Sequence, residues 1–362
     1  LKRSREQRFS KQVLGLLAMS DHEAKMRAAL ALSHEDRLAF FEATRVVHPK
    51  HETVLDALDA HTRRHSGDAI TLLIGPTGVG KTTIANAFYE RTLRLFTARM
   101  LKDPGLIPII KLEAPATGEI RFSHRVFYAK ILNELQAPHL SGQKMPSDLE
   151  RVANLLDHSK GTVGRLRLEV EIALEGRRCE IMMIDEAFHF LGGGGNRLKA
   201  QMDGLKSLSN ESEVKPVLVG SYDLLPILDI NAQTARRCSP IHISRYHRDV
   251  ESDCAEFASI VSKFCRLMPL ENPPELLGYC TELMRACVGL PGMLKETLQR
   301  ALNYALCEGR WIESCHERAL PTKNVSTAVL RECLEGEKGL QNWESGTGVF
   351  LDFNDGSDRE AA

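Results

Sequence analysis

The sequence predicts an α/β fold in which a five-stranded parallel sheet lies between helices, with a helical extension before it and a smaller helical piece after it. Three observations carry this. Short runs rich in Ile, Val, Leu or Met recur at 69–74, 107–112, 180–184, 216–220 and 240–243, separated by stretches of helical composition. The first run breaks into Gly-Pro-Thr-Gly-Val-Gly-Lys-Thr over Gly75–Thr82, the spacing of a phosphate-binding loop, or Walker A motif. The third ends in two adjacent carboxylates, Asp185 and Glu186, in the manner of a Walker B strand.

Residues 1–48 are rich in Leu, Ala, Met, Arg and Glu and contain no proline, which predicts a helical extension. Leu14, Leu17, Met26, Leu30, Leu38 and Phe41 supply its apolar faces, and Ser33-x-x-Asp36 reads as a helix start. Pro49 opens a further helix, whose Val54, Leu55 and Leu58 can pack inward, and Ser66-Gly67-Asp68 ends it. An α/β nucleotide-binding domain is expected over 49–248, with helices at about 82–101, 123–136, 147–176 with a break, and 196–209. Residues 249–337 read as a helical lid: Phe257, Ile260, Val261, Phe264 and Leu267 recur at helical spacing, and Gly289-Leu-Pro-Gly292 opens another helix. Residues 338–362 form an acidic tail with Trp343, Phe350 and Phe353.

In the phosphate loop, glycines let successive backbone N–H groups converge on one anion, and the following helix adds its positive end. Gly75, Pro76, Thr77, Gly78, Val79, Gly80, Lys81, Thr82 and Thr83 are therefore the nucleotide-binding set. Lys81 would reach the β- and γ-phosphates of ATP, and the Thr82 hydroxyl would bind Mg²⁺. Asp185 would hold the same metal directly or through water. Glu186 would orient or deprotonate the attacking water, a group that hydrolysis needs and kinase chemistry does not. Ser221 ends the fourth strand at the same edge as a candidate γ-phosphate sensor, with Asp223 behind it. Arg236 and Arg237 precede the fifth strand, where an arginine could cross a subunit boundary to a neighbour's γ-phosphate.

Composition narrows the function classes. The 362 residues are 43% hydrophobic, enough for more than one core, and carry a formal net charge of −1. The charge is unevenly placed: Lys2, Arg3, Arg5, Arg8 and Lys11 crowd one end, and the acids of the tail the other. No apolar run reaches the length of a membrane-spanning helix, and no secretory signal is read. Nine scattered cysteines without a Cys-x-x-Cys pair predict reduced thiols in a cytoplasmic protein rather than a zinc or disulfide frame.

The whole set over roughly residues 45–335 resembles an AAA+ ATPase. More narrowly, three stretches are similar to the TnsC/TniB family of transposition regulators: Lys160-Gly161-Thr162-Val163, the run Cys179–Ala187, and Val217-Leu-Val-Gly-Ser221. Gln233 to Arg237 resembles that family's arginine-finger helix, with Arg237 best placed. The resemblance implies an ATP-dependent homo-oligomer, ring or filament, on duplex DNA. Its further partners would be a transposase and a target-selection protein of the TniQ or TnsD kind, in a bacterial cytoplasm and without a membrane. On the same resemblance Lys144, Lys160 and Thr162 would touch the DNA backbone, contacts that position rather than specify. One departure stands out. Where many AAA+ lids carry an arginine, three residues after Gly289, this chain has Gly292, leaving Lys295 as the nearest substitute and implying slow hydrolysis. Two other readings use the same fold: a helicase loader or replication initiator, and a signalling scaffold locked by nucleotide.

Overall fold

A computed structural model describes residues 22–46, 48–63, 70–115, 122–136, 162–191, 195–230 and 236–341. Chain order begins with helices α1 (His22–Leu30), α2 (His34–Ala43) and α3 (Pro49–Thr62), then β1 (Ile70–Ile74) and α4 (Lys81–Lys102). Next come β2 (Ile109–Glu113), α5 (His124–Gln136), α6 (Val163–Gly176) and β3 (Ile181–Asp185). A short 3₁₀ turn leads to α7 (Gly195–Ser212), β4 (Lys215–Gly220), a second 3₁₀ turn (Tyr222–Ile227) and β5 (Cys238–His242). The rest is helical: α8 (Glu251–Arg266), α9 (Cys280–Ala286), α10 (Pro291–Glu308), α11 (Ser314–Ala319) and α12 (Lys323–Gln341). Each strand and helix expected within the described residues is present, with ends shifted by a few residues. Leu14, Leu17, the basic residues 2–11, Ser66 to Asp68, Lys144, Lys160 and the acidic tail beyond 341 lie outside the described residues.

All strand pairings are parallel, in the order β2-β3-β4-β1-β5. Both faces are covered, so the inner strands are near-continuous apolar runs rather than alternating ones; β1 and β3 are buried at every position. Side chains nevertheless alternate between the faces. Leu72, Ile74, Met182, Ile184 and Leu218 pack towards α5, α6 and α7. Leu73, Ile181, Met183, Val217, Val219 and Ile241 pack towards α3 and α4. Each such side chain, removed from water, stabilises the sheet by about 1.5–3 kcal/mol.

Local signals start the helices where the sequence places them. Ser33 caps α2 by accepting the Asp36 N–H, and proline occupies the first turn of α3 and α10. A third core gathers Phe41 of α2, Tyr246, and Phe257, Ile260, Leu294 and Leu298 of α8 and α10. It joins the amino-terminal helices to the carboxyl-terminal ones. The joint is tightened by Lys50, which pairs with Asp253 at 2.9 Å and lies over the Tyr246 ring at 4.3 Å. Helix α12 touches this cluster near its start, where Ser326 donates to Ala286 O at 2.6 Å, and then leaves it. Its Cys333 and Leu340 enter the two cores that flank the sheet.

Two imidazoles are enclosed at the same joint. His48 accepts from or donates to the Tyr246 hydroxyl through Nδ1 at 2.7 Å, and its ring lies 3.5 Å from that of His51. Burial, reinforced for His48 by neighbouring His51, Lys50 and Lys263, lowers their pKa values from 6.5 to about 3 and about 4. Both stay neutral in the folded chain while the unfolded chain takes up protons below pH 6.5. Their contribution is thus present above that pH and is lost as pH falls towards the folded values. His51→Gln is expected to shrink the stability lost between pH 7 and pH 4.5 by about 2 kcal/mol. Urea unfolding of both proteins at the two pH values checks this; equal losses would refute it.

Candidate functional site

Parallel strands bring distant residues to one edge, because every strand ends on the same side. Gly75, Asp185, Ser221 and Ile243 therefore converge: Ile74 pairs with Gly220 and His242, and Glu113 with Asp185. The carboxyl edge of such a sheet is where ligands bind in open α/β folds.

The loop between β1 and α4 is bent by Gly78 and Gly80, whose φ angles of 83° and 105° place them in the left-handed region that side chains avoid. Gly80 then caps α4. The Gly75 N–H reaches Gly220 O at 3.4 Å, tying the loop to the end of β4. Lys81 folds back so that its ammonium donates to Gly75 O at 2.8 Å and Pro76 O at 2.9 Å. Burial pushes its pKa down, while Glu186, Asp185, Glu332 and Asp223 oppose that shift. A half-buried ammonium whose partners are two loop carbonyls, under a glycine cradle and within the field of carboxylates, fits a nucleoside triphosphate with its divalent metal. Thr82 and Thr83 stand in the first turn of α4, where the former's hydroxyl would be offered to that metal.

Asp185 is the last residue of β3 and is almost wholly buried. Its Oδ1 accepts the Glu186 N–H at 3.1 Å, and its Oδ2 lies 3.5 Å from Lys111 Nζ. Lys111 in turn donates to Asn86 Oδ1 at 2.8 Å. Neither Lys111 nor Asn86 figures in the sequence reading, although a lysine inside the apolar strand Ile-Ile-Lys-Leu was the available signal. Glu186 is exposed and sits at φ 52°. A non-glycine residue held there is costly by about 1–3 kcal/mol, and such strain gathers at functional sites. Ser221 caps the following 3₁₀ turn and donates to Asp223 Oδ2 at 2.7 Å, so the two residues act as one unit.

Arg236 and Arg237 stand elsewhere. Both are exposed in the turn before β5, and Arg237 O accepts the N–H of Ile70, the first residue of β1. They lie at the amino edge of the sheet, separated from their own phosphate loop by the length of β1, about 16 Å at 3.3 Å per residue. Thr162 is exposed and accepts the Arg165 N–H at 3.3 Å as the cap of α6.

The lid position also has a physical explanation. Gly292 N–H donates to Gly78 O at 2.7 Å, and a Cβ on Gly292 would stand 2.4 Å from that oxygen. The first turn of α10 rests on the phosphate loop itself, leaving no room for an arginine side chain at this position. Lys295 does not replace it. Its ammonium donates to Glu42 O at 2.5 Å and Thr44 O at 2.7 Å, at the end of α2.

The Bacterial TniB protein family matches residues 37–248. The chain belongs to the TniB family. The match takes in the phosphate loop, Asp185-Glu186, Ser221 and the paired arginines, and ends before α8. Family membership together with the site makes this TniB chain a nucleotide-binding ATPase. Its fold is similar to that of the Aeropyrum pernix ORC2 protein solved as ADPNP–ADP complexes. The TM-score is 0.51 at 14% identity, over 77% of this chain and 70% of that one. Two further structures give TM-scores of 0.49 and 0.47 at 16% identity: Aeropyrum pernix ORC1 in complex with DNA, and a Walker-type ATPase of Pyrococcus abyssi. The ORC1 match covers 81% of this chain and 68% of that one, and the Pyrococcus match 83% and 77%. The chain thus has an AAA+ P-loop fold. No curated protein matches the chain.

Gly292→Ala is expected to lift α10 from the loop and weaken nucleotide binding about tenfold or more, equivalent to roughly 1.4 kcal/mol. Gly164→Ala, where a Cβ would meet nothing within 4 Å, serves as the control and should bind normally. Titration with a fluorescent nucleotide checks both; equal affinities would remove the lid contact from the site.

Proposed function

We propose that this chain is an ATP-dependent switch that assembles head to tail on duplex DNA and couples target selection to transposase recruitment. The observation that carries the assembly is the position of Arg236 and Arg237. They are too far from their own Lys81 to serve it, and they are exposed where a second copy's nucleotide site could receive them. In this reading the site is completed between subunits. Lys81 and the loop would hold the phosphates, and Thr82 and Asp185 would hold Mg²⁺, which supplies neutralisation of charge developing on the phosphate oxygens. Glu186 directs the attacking water, the Ser221–Asp223 pair senses the γ-phosphate, and Arg237 of the neighbour stabilises the charge of the transition state.

Family membership and the resemblance around Thr162 support the DNA and transposition parts of the reading. A hydroxyl at a helix start, beside Arg165, suits a phosphate contact. Lys144 and Lys160 are proposed to extend it. The proposed units are an amino-terminal helical extension over 1–48, a nucleotide-binding domain over 49–248, a helical lid over 249–337 and an acidic tail. The partners are a transposase and a target-selection protein of the TniQ or TnsD kind. No helix among the described residues is long and apolar enough to cross a membrane. The lack of a lid arginine fits slow turnover, suited to a timer.

Mixing two inactive variants tests the shared site. Glu186→Gln is expected to lower ATP turnover by about 10²–10⁴-fold, and Arg237→Ala by about 10³-fold. A mixture should regain a measurable part of the wild-type rate, because some boundaries pair an intact Glu186 with an intact Arg237. No recovery would refute completion in trans. Imaging with ATP and duplex DNA then reads the assembly, and a stable contact with a replicative helicase but none with a transposase would favour a loader instead.

A further inference from the structure

Helix α12 lies beyond the stretch that matches the family, and the proposed reaction does not use it. Its least exposed positions, Ser326, Val329, Cys333, Gly336 and Leu340, recur at helical spacing and form a single stripe. That stripe is seated on the nucleotide edge of the sheet. Cys333 and Val329 join the core that contains Val79 and Ile84, directly under the phosphate loop. Gly336 approaches Tyr222 so closely that a Cβ would stand 2.1 Å from the ring. Glu337 takes the Arg245 guanidinium in a fork, at 2.9 and 3.3 Å. Tyr222 follows Ser221, so the helix rests on the segment proposed to sense the γ-phosphate.

Glu332 stands on the exposed flank of this stripe, adjacent to the buried Cys333. Cys333 beside it packs with Val79 and Ile84 beneath the phosphate loop, which brings this carboxylate to the Lys81 side of the helix, where its charge adds to that of Glu186, Asp185 and Asp223. Three of these acids belong to the sheet edge itself. Glu332 alone arrives on a separate element, held by one stripe of contacts, by the Glu337–Arg245 pair and by the Ser326 hydroxyl, which donates to Ala286 O at 2.6 Å near the start of the helix. A third phosphate brought to Lys81 adds negative charge where this carboxylate already is, and the two repel.

We infer that α12 is a strap that discriminates between ATP and ADP, with Glu332 competing against the γ-phosphate for the surroundings of Lys81. ATP loosens α12 from the Tyr222 segment, whereas ADP leaves it seated. The inference rests on the ATP site described above, and it makes the carboxyl-terminal helix the element that reports which nucleotide is bound.

The test uses the full chain with ATPγS and ADP. Glu332→Gln is expected to tighten ATPγS about fivefold, the scale of an exposed charge pair, while ADP affinity stays within about twofold. Amide hydrogen exchange over 329–341 should rise with ATPγS and remain at its nucleotide-free level with ADP. Gly336→Val, which fills the space against the Tyr222 ring and evicts the helix without changing charge, should shift the ATPγS to ADP ratio the same way. Should that variant fail to fold, Glu332→Gln and the exchange measurement decide. An unchanged affinity ratio in Glu332→Gln, or equal exchange with both nucleotides, overturns the strap while leaving the ATP site intact. A wild-type chain that binds neither nucleotide overturns the ATP site and the strap together.

Discussion

The short backbone contact between Gly292 and Gly78 is the constraint on which the arrangement of the site depends. The phosphate loop belongs to the sheet and the first turn of α10 to the helical cluster, and one N–H···O bond of 2.7 Å joins them. Because no side chain fits at Gly292, the lid helix meets the loop backbone to backbone. The loop is therefore fixed on two sides, by Gly220 of β4 and by Gly292 of α10. A change in the angle of the helical cluster would be felt at Gly78 without any intervening side chain to absorb it, since packed interiors shift between discrete arrangements rather than deform smoothly.

Electrostatics around Lys81 follow from the same edge. Four carboxylates from three segments act on one half-buried ammonium: the neighbours Asp185 and Glu186, then Asp223, and Glu332. Asp185 is balanced by Lys111, which is itself steadied by Asn86, so its negative charge is held in place by a buried partner. Glu186 is held instead by backbone geometry, exposed and in the left-handed region. Adjacent acids thus take different environments, one enclosed and paired, the other turned to solvent, which is the division that metal binding and water activation require.

Much of this was legible in the residues themselves. Runs such as Ile-Met-Met-Ile identify strands buried on both faces, and glycine spacing with a terminal Lys-Thr identifies the loop; both are local properties. Asp185 and Ser221 were placed at one edge because parallel strands end together, a consequence of topology rather than of any contact. What could not be read depended on partners distant in sequence. Lys111 matters through its neighbour in β3, and Gly292 reads as a missing arginine until Gly78 is found against it. Lys295 stands in the first turn of α10 as a possible substitute for that arginine, yet the end of α2 captures it. Helix α12 has the composition of the lid helices around it, and nothing local reveals that its stripe matches the sheet edge.

The placement of Arg237 at the amino edge and Lys81 at the carboxyl edge gives each subunit two unlike ends. If one end completes the other, the number of working sites becomes a property of closure rather than of mass. An open row of n subunits holds n − 1 complete sites and one bare loop, whereas a closed ring of the same size holds n. Every break in a row creates one more incomplete site, and growth at the two ends must differ. Direction along the bound polymer would then be written into the chain by the five-residue length of β1.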